Sequence, residues 1–498
     1  MSSAPSIPSF HEPLPIDVFL ESAVHTYIYD DLRQFEHAFL YFFKERNLNF
    51  DRPVALLADS SDELVFLIAS CWRLGIPFVT IDAGLSAREQ SQYLQQVRVE
   101  LIICDQDPEH PDFSCPTVHI SRFALAKILK PDFTPEPWVK DHKKNINPDQ
   151  IFGYFFTSGT TGIPKIVPLK RRQVLYGAKA SEANIDPGRN QLWLLSLPLH
   201  HVGGVSVILR SLLYGSGVYR MDTFDISRVT ELLDKKQHMV AASMVPTMLK
   251  RLMKRGDFSV HDHFMAILLG GGPLDGTLVD ECFNRGIPVV ASYGMTETCA
   301  QIAANPLMTV GDLSRPRESV GQVFSPNRIE IRDESAQALE EGDSGQIWLK
   351  GPQVFEGYYQ TKNQGCFFDR DGWFNTGDYG HLNHRGELFI EARRTDLIVS
   401  GGENVSPLEV EQALRKVAPV QEAAVVGVPD EEWGQKVVAA VVAKKGQHID
   451  PDAIRQKLRS KISSFKVPKQ IIQLDAIPRN KTGKVLRDKV QESIASRL

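Results

Sequence analysis

The sequence has few features of secreted, membrane or zinc-binding proteins. It contains only six cysteines, with no CxxC or CxxxH pair among them: Cys71, Cys104, Cys115, Cys282, Cys299 and Cys366. This spacing favours neither a disulfide framework nor a zinc site and indicates reduced, mostly buried thiols. There is no run of about 18 apolar residues, and the amino terminus lacks a basic stretch followed by an apolar one. We therefore expect a cytoplasmic protein without a membrane span.

An excess of positive charge is also absent. Lys and Arg number 56 against 61 Asp and Glu, which gives a net charge of -5, and 42% of the residues are hydrophobic. A protein that coats nucleic acid would carry a basic surface, so no nucleic-acid partner is expected. The length of 498 residues exceeds one ordinary domain and indicates at least two.

Two stretches of the chain alternate short apolar runs with amphipathic runs. The first begins at Pro53 with PVALLAD, ELVFLIASCWRLG and IPFVTID, and the second begins at Leu192 with LWLLSLPL and ends with PVVASYGM. This alternation is typical of βαβ units and predicts two doubly wound, largely parallel layers. In such sheets ligands bind beyond the carboxyl ends of the strands.

The pattern changes near residue 325 and again after Arg394. Short strand-like segments such as RIEIRD and GQIWLKG predict a small β subdomain, and the last stretch alternates helical and strand patterns. The predicted fold class is therefore α/β, with a large N-terminal domain over residues 1–394 followed by a smaller α+β domain over residues 395–498.

A glycine- and hydroxyl-rich segment follows the apolar run IFGYFF. It consists of Thr157, Ser158, Gly159, Thr160, Thr161, Gly162, Ile163, Pro164 and Lys165. Backbone N–H groups and hydroxyls of such a loop can bind phosphate oxygens, and Lys165 adds a positive charge. The spacing is not the GxxxxGK[ST] of P-loop NTPases. A polar surface turn is the alternative interpretation.

Further segments occur in the order found in one enzyme superfamily. They are 292–297 (SYGMTE), 376–378 (TGD), Arg393 with 400–404 (SGGEN), and 478–484 (PRNKTGK). Together with the glycine-rich loop they resemble the signatures of the acyl-adenylate-forming (AMP-binding) superfamily, which includes acyl-CoA synthetases, luciferases and adenylation domains. The resemblance covers nearly the whole chain. It implies ATP and Mg²⁺ as cofactors, coenzyme A as co-substrate and a small carboxylic acid as substrate.

The resemblance also implies nucleotide-binding residues. Glycines after an apolar strand and a tyrosine would flank the adenine, Asp378 and Arg393 would bind the ribose region, and Glu297 would associate with Mg²⁺. The implied nucleotide-binding set is Thr157, Ser158, Gly159, Thr160, Thr161, Gly162, Lys165, Gly271, Gly272, Pro273, Ser292, Tyr293, Gly294, Met295, Thr296, Asp378, Arg393 and Lys484.

The implied reaction has two steps. Lys484 would stabilise charge while the carboxylate attacks the α-phosphorus of ATP, with Thr161, His201 and Glu297 as further catalytic residues. The C-terminal domain would then swing about a hinge at Thr395 and Asp396, so that Gly401, Gly402 and Glu403 replace the lysine loop and open a thiol channel. Many relatives carry Asp or Lys where this chain has Thr395.

The acid is predicted from the sequence around LLSLPLHHVGGVSVILRSLLYG, which resembles the corresponding sequence of the o-succinylbenzoate-CoA ligases of menaquinone synthesis. By that resemblance, the residues that contact the acid are His201, Arg210, Ser243, Gly270 and Gly294. Arg210 is a lone arginine in an apolar helical stretch, where a charge is costly unless paired. We expect it to bind a second carboxylate of the acid. An exposed arginine on the outer helix face is the alternative.

Other interpretations stay open. One is another aryl- or medium-chain acyl-CoA ligase, and a second is an adenylating enzyme that charges a separate carrier protein. A third is an inactive nucleotide-binding sensor, which the presence of Lys165, Glu297, Asp378, Arg393 and Lys484 argues against. Homo-oligomerisation also stays open.

Overall fold

The computed structural model describes thirteen ranges of the chain and two compact units. The described residues are 8–10, 12–105, 115–130, 147–157, 164–272, 274, 276–307, 318–333, 335–360, 367–392, 398–405, 407–478 and 485–497. Unit 1 comprises Met1–Asp82, Val97–Phe155 and Ile166–Arg393. Unit 2 comprises Ala83–Gln96, Phe156–Lys165 and Arg394–Leu498. The domain boundary predicted at residue 394 stays a prediction.

The strands are numbered in chain order. They are β1 (Val18–Glu21), β2 (Thr26–Ile28), β3 (Val54–Leu57), β4 (Phe78–Thr80), β5 (Leu101–Cys104), β6 (Thr117–His119), β7 (Ile151–Thr157), β8 (Lys165–Lys170), β9 (Leu192–Leu195), β10 (Gly217–Arg220), β11 (Met239–Met244), β12 (Ala266–Leu269), β13 (Val289–Met295), β14 (Ala300–Ala304), β15 (Gln322–Val323), β16 (Arg328–Arg332), β17 (Gly345–Lys350), β18 (Phe374–Leu382), β19 (Leu388–Ala392), β20 (Ile398–Ser400), β21 (Glu403–Val405), β22 (Val420–Asp430), β23 (Gly434–Ala443) and β24 (Gln470–Gln473).

The α-helices are numbered in the same way. They are α1 (Tyr29–Glu45), α2 (Asp62–Leu74), α3 (Ala87–Gln96), α4 (Leu125–Ile128), α5 (Arg171–Glu182), α6 (Val202–Tyr214), α7 (Ile226–Lys235), α8 (Pro246–Met253), α9 (Gly276–Asn284), α10 (Pro407–Arg415), α11 (Pro451–Arg459) and α12 (Arg487–Ala495). Helix α2 shows how the sequence sets such bounds: Ser61 accepts a hydrogen bond from the Leu64 N–H at its start, and Gly75, with φ 72°, ends it.

Two large sheets with helical crossovers form most of unit 1. One has nine strands in the order β15-β14-β13-β12-β11-β9-β10-β1-β2, and the other has six in the order β6-β5-β3-β4-β7-β8. Strands β9 to β13 pair in parallel, whereas β2, β14 and β15 lie antiparallel at the two edges. The continuous apolar runs suit strands that are buried on both faces.

Two smaller sheets complete the fold. Strands β16 to β19 form the antiparallel β subdomain that was predicted after residue 325. In unit 2, β20 to β24 form a sheet packed with α10 and α11 around buried side chains such as Val410, Leu414 and Val425. The predicted α/β class, with a β subdomain and a C-terminal α+β domain, is confirmed. Among the described helices, none is long and apolar enough to cross a bilayer.

Candidate active site

The carboxyl ends of the central strands in unit 1 hold the segment predicted to flank adenine. Gly270, Gly271 and Gly272 follow β12 directly, and Gly271 has a positive φ of 73°. The Ser292 hydroxyl donates to the Leu269 carbonyl at 3.0 Å, and a Cβ on Gly270 would lie only 2.8 Å from Ser292 Oγ. A side chain at residue 270 would therefore have to displace the Ser292 hydroxyl from this position.

Tyr293 and Asp378 are joined by a hydrogen bond although they lie 85 residues apart. The Tyr293 hydroxyl donates to Asp378 Oδ2 at 2.7 Å, and both residues are buried. The Asp378 N–H donates to Thr376 Oγ1 at 3.1 Å, which fixes the TGD turn. A Cβ on Gly294 would lie 1.8 Å from the Ala300 carbonyl oxygen, so Gly294 sits where only glycine fits. The structure thus joins two of the predicted nucleotide-binding segments.

This pair leads to a prediction about ATP. Asp378→Asn keeps an oxygen that can accept from Tyr293 but loses the negative charge that would hold two ribose hydroxyls. We expect the KM for ATP to rise about tenfold or more, as for the loss of a charge-assisted hydrogen bond. Steady-state kinetics with varied ATP checks this. Tyr293→Phe is the matched control, and an unchanged KM in Asp378→Asn would contradict the ribose role.

Glu297 is a buried carboxylate at the end of β13. It is 2% exposed, and the Tyr358 hydroxyl donates to its Oε1 at 2.6 Å. The Phe355 N–H donates to the Glu297 carbonyl at 2.8 Å, so the loop at residues 355–358 holds this segment in place. Its neighbours Met295 and Thr296 lie in the turn that the Thr298 hydroxyl closes by accepting from the Met295 N–H at 3.0 Å. A buried carboxylate with further lone pairs suits Mg²⁺, with phosphate oxygens supplying other ligands.

Gln353 was not identified by the sequence analysis. Its side-chain amide is buried and donates to the carbonyls of Thr298, at 2.9 Å, and Gln301, while Asn327 Nδ2 donates to its Oε1 at 3.3 Å. It therefore ties the turn after Glu297 to the β subdomain. A polar residue in the run GPQVF was the only available signal, and it did not distinguish a buried amide from a surface one.

The two adjacent histidines lie before α6. The rings of His200 and His201 stand edge to face, with centroids 4.3 Å apart, and His200 Nδ1 lies 3.8 Å from Asp82 Oδ1. The His201 carbonyl accepts from the Val205 N–H at 3.2 Å, so His201 is at the first turn of α6.

Arg210 lies on α6 and is 6% exposed, which excludes the alternative of an exposed arginine on the outer face. Its guanidinium donates to Ser181 Oγ and Gln301 Oε1, each at 3.2 Å, and to Ser206 Oγ at 2.8 Å. The Ser206 carbonyl also accepts, at 3.3 Å. Within the described part of the chain these partners are all neutral. Burial lowers the pKa of Arg210, as it does for any cation removed from water.

A small cavity adjoins Arg210. Its volume is about 20 Å³, roughly the space that one water molecule needs. Its lining includes Val174, Gly177, Ser206, Cys299 and Gln301. One polar atom or two can enter such a space, but a whole aromatic acid cannot.

Ser243 lies on β11 beside Trp193 of β9. Its hydroxyl accepts from the Trp193 indole N–H at 2.9 Å, and the Trp193 ring lies 5.2 Å below the Arg210 guanidinium carbon. Ser243 therefore positions the indole on which Arg210 rests. Trp193, which the sequence analysis did not single out, belongs to the same buried cluster.

Cys299 provides a chemical probe of this region. Burial raises its pKa to about 12, so little thiolate forms near neutral pH. We expect iodoacetamide at about pH 8 to leave Cys299 unlabelled in the folded protein and to label it after unfolding. Peptide mass mapping would measure this, with half-buried Cys115 as the internal comparison. Labelling of Cys299 at the rate of Cys115 would contradict the burial.

Unit 2 contains the ends of the glycine-rich loop and the predicted thiolation segment. The Thr157 hydroxyl donates to the Lys165 carbonyl at 3.5 Å. Gly401 and Gly402 have φ of 61° and 92° and lead into Glu403 on β21. The Gly401 N–H donates to the Trp433 carbonyl at 2.9 Å, and a Cβ on Gly401 would lie 2.7 Å from the indole. Glycine is thus needed for this turn.

Ten predicted site residues lie outside the described residues. They are Ser158, Gly159, Thr160, Thr161, Gly162, Pro273, Arg393, Thr395, Asp396 and Lys484. Their roles stay predictions.

Comparison with protein families agrees with this site. The model of the AMP-binding enzyme family matches residues 15–359, and that of the AMP-binding enzyme C-terminal domain matches residues 409–484. The chain belongs to the AMP-binding enzyme family, and the predicted superfamily is confirmed.

Relatives with assigned names agree with each other. The 2-succinylbenzoate–CoA ligase of Listeria monocytogenes is 34% identical over 442 residues, 89% of each chain. The enzyme of the same name from Bacillus subtilis is 31% identical over 442 residues, 88% of this chain and 87% of the relative. The predicted class, an AMP-forming acid–thiol ligase, is confirmed.

Solved structures extend the likeness. A double-mutant o-succinylbenzoate CoA synthetase from Bacillus subtilis, bound with the product analogue OSB-NCoA, matches with TM-score 0.86, 28% identity and 96% of each chain. The same enzyme with ATP and magnesium ion matches with TM-score 0.68, 27% identity, 96% of this chain and 97% of the other. An amide bond synthetase from Marinactinospora thermotolerans, at 24% identity and TM-score 0.83 over 96% and 97% of the chains, shares the fold.

Proposed function

We propose that this chain joins 2-succinylbenzoate to coenzyme A with ATP, forming AMP and diphosphate through an acyl-adenylate. The observation that carries the choice of acid is the buried guanidinium of Arg210, which has neutral partners in the part of the fold predicted to hold the acid. The names of the relatives support the same acid. The proposed location is the cytoplasm, and a homo-oligomer is compatible with this function.

In the first half-reaction, a carboxylate oxygen attacks the α-phosphorus of ATP and diphosphate leaves. Asp378, supported by Tyr293, would hold the ribose, and Glu297, supported by Tyr358, would hold Mg²⁺. Bound Mg²⁺ offsets the charge of the phosphates. Lys165 and Lys484 would neutralise charge on the reacting and leaving oxygens. Positioning and electrostatics supply the rate, so no protein nucleophile is needed.

In the second half-reaction, the thiolate of coenzyme A attacks the acyl carbonyl and AMP leaves with the bonding electrons. Lys484 serves the first step, whereas the Gly401 segment serves the second. We propose that the C-terminal part of the chain changes position about residues 393–396 between the steps. The positive φ at Gly401 and Gly402 gives that segment a turn that glycine adopts readily and other residues do not, which supports a specialised role for it.

Arg210 is proposed to bind the carboxylate of the acid that is not activated. A buried guanidinium whose partners among the described residues are all neutral has lost much of its hydration energy without gaining a counter-ion from them. A carboxylate oxygen that reaches the adjoining cavity would supply that counter-ion and accept a charge-assisted hydrogen bond from the guanidinium. An acid with a single carboxylate would leave Arg210 without this counter-ion. Arg210 would therefore select dicarboxylic acids.

The test is CoA-dependent AMP release with ATP and Mg²⁺, comparing 2-succinylbenzoate with benzoate, octanoate and acetate, with product masses identified. We expect selective formation of 2-succinylbenzoyl-CoA. Turnover of another acid would keep the ligase chemistry and reject the proposed substrate. If no acid gave an adenylate, the chain would instead be a nucleotide-binding sensor. An adenylate without thioester formation would point to another acceptor, such as a carrier protein.

A further inference from the structure

Lys466 is a buried ammonium group that lies between two carboxylates of unit 2. Its Nζ is 3.0 Å from Glu89 Oε1 and 2.8 Å from Glu409 Oε1. The side chains of Lys466 and Glu89 are each 6% exposed, and that of Glu409 is 21% exposed. No step of the proposed reaction uses these three residues.

The two ion pairs differ in the parts of the chain that they join. Glu409 lies on α10, 57 residues from Lys466, within the C-terminal segment. Glu89 lies on α3, 377 residues away, in the first quarter of the sequence. The Glu89–Lys466 pair therefore fastens an early helix to the C-terminal segment, whereas the Glu409–Lys466 pair is internal to that segment.

The Glu89 carboxylate has several hydrogen-bond donors besides Lys466. Its Oε2 accepts from the Ser86 hydroxyl at 2.7 Å and from the Ser463 hydroxyl at 3.0 Å. Ser86 directly precedes α3, and its N–H donates to Glu89 Oε2 at 3.1 Å, so the carboxylate that caps the helix also binds Ser463 and Lys466. Tyr93, one turn further along α3, stacks on Phe156 with ring centroids 4.3 Å apart. Among the described residues, the charged groups that face Lys466 are thus Glu89 and Glu409, with the Tyr93 phenol nearby.

The segment that contains Glu89 is connected at both ends to the other unit. The segment Ala83–Gln96 belongs to unit 2, whereas the residues directly before and after it, Asp82 and Val97, belong to unit 1. The contact between Glu89 and Lys466 consequently ties the C-terminal segment to a helix whose two ends continue into the other unit. Breaking the ion pair removes the charged contact between the C-terminal segment and that helix and leaves the Ser463–Glu89 hydrogen bond.

We propose that the Glu89–Lys466 ion pair is a latch that opens and closes with the change of position between the two half-reactions, and so sets their relative rates. This inference rests on the proposed two-step function. A buried ion pair is favourable only with near-ideal geometry, because desolvation opposes it, so a change in the position of Lys466 relative to α3 would weaken it strongly. Ser463 and Lys466 are positioning residues in this scheme and do not touch the substrate.

The structure offers a matched pair of variants. Glu89→Gln removes the charge that ties α3 to Lys466 while keeping an oxygen for Ser86 and Ser463. Glu409→Gln removes the same charge from the same lysine but leaves the tie to α3 intact. Acid-dependent exchange of labelled diphosphate into ATP measures the first half-reaction, and thioester formation from preformed adenylate measures the second.

We expect Glu89→Gln to change the ratio of these two rates by about fivefold or more, and Glu409→Gln by less than about twofold. Amide hydrogen exchange in residues 83–96 should accelerate in Glu89→Gln only. Equal effects of both variants, or unchanged ratio and exchange in Glu89→Gln, would overturn the latch. If Glu89→Gln does not fold, Ser463→Ala replaces it in the same comparison. Absence of diphosphate exchange in the unaltered protein would reject the ligase function instead, and hydrogen exchange would still test the latch.

Discussion

Glu297→Gln should lower acid-dependent adenylate formation by a factor of about a hundred or more, because Glu297 is proposed to hold the Mg²⁺ that offsets charge on the phosphates, and losing one such electrostatic contribution typically costs about 3 kcal/mol. The amide has the shape of the carboxylate and can still accept from Tyr358, so the fold should be preserved. The loss should appear in kcat and in the Mg²⁺ concentration needed for half-maximal rate. Diphosphate exchange at varied Mg²⁺ would measure both.

Tyr358→Phe is the control for this experiment. It removes the hydroxyl that donates to Glu297 Oε1 at 2.6 Å and leaves the charge in place. We expect a loss of about tenfold, in keeping with one hydrogen bond to a charged group. If Glu297→Gln were no worse than Tyr358→Phe, or if its Mg²⁺ dependence were unchanged, the metal-associated role would be wrong.

Arg210→Met should lower kcat/KM for 2-succinylbenzoate by about a hundredfold or more, because breaking a buried charge pair typically costs about 3–5 kcal/mol. Methionine fills a comparable apolar volume without a charge. Benzoate has no second carboxylate that Arg210 could bind, so its kcat/KM should stay within about threefold of the value for the unaltered protein. Parallel kinetics with the two acids measure the difference.

Arg210→Lys gives an intermediate test, since it keeps the charge but loses the planar guanidinium and its fixed set of donors. A partial recovery for 2-succinylbenzoate relative to Arg210→Met is expected. Equal losses for both acids would instead mean that Arg210 supports the packing around Ser181 and Gln301. The KM for ATP should stay unchanged in both variants, because the described partners of Arg210, which are Ser181, Ser206 and Gln301, are not predicted nucleotide-binding residues.

The sequence could predict those helices and strands whose hydrophobic pattern follows the side chains that are buried in the structure. The apolar runs PVALLAD and LWLLSLPL are strands β3 and β9, and the amphipathic run RRQVLYGAKA is α5. Glycines such as Gly270 and Gly294 could also be singled out from the sequence. They interrupt the hydrophobic pattern at points where another part of the chain comes close to the backbone.

The contacts between distant segments were not predictable in this way. The sequence around Gln353 and Tyr358 does not indicate that these residues support the loop of Glu297. Their hydrogen-bond partners, Thr298 and Glu297, lie 55 and 61 residues away. The polar run that forms α3 gives no sign that its Glu89 is buried against Lys466. Charge alone suggests exposure, and only the fold shows which charges are paired.

The path of α3 has a consequence for protein engineering. Grafting residues 394–498 onto another family member would transfer Lys466 and Glu409 but leave Glu89, Ser86 and Tyr93 behind. The recipient would then have to offer its own acidic residue at the start of the corresponding helix, or the graft would bury an ammonium group with half its counter-charge missing. The unit of recombination in this fold is therefore discontinuous, and a functional chimaera should carry residues 83–96 together with the C-terminal segment.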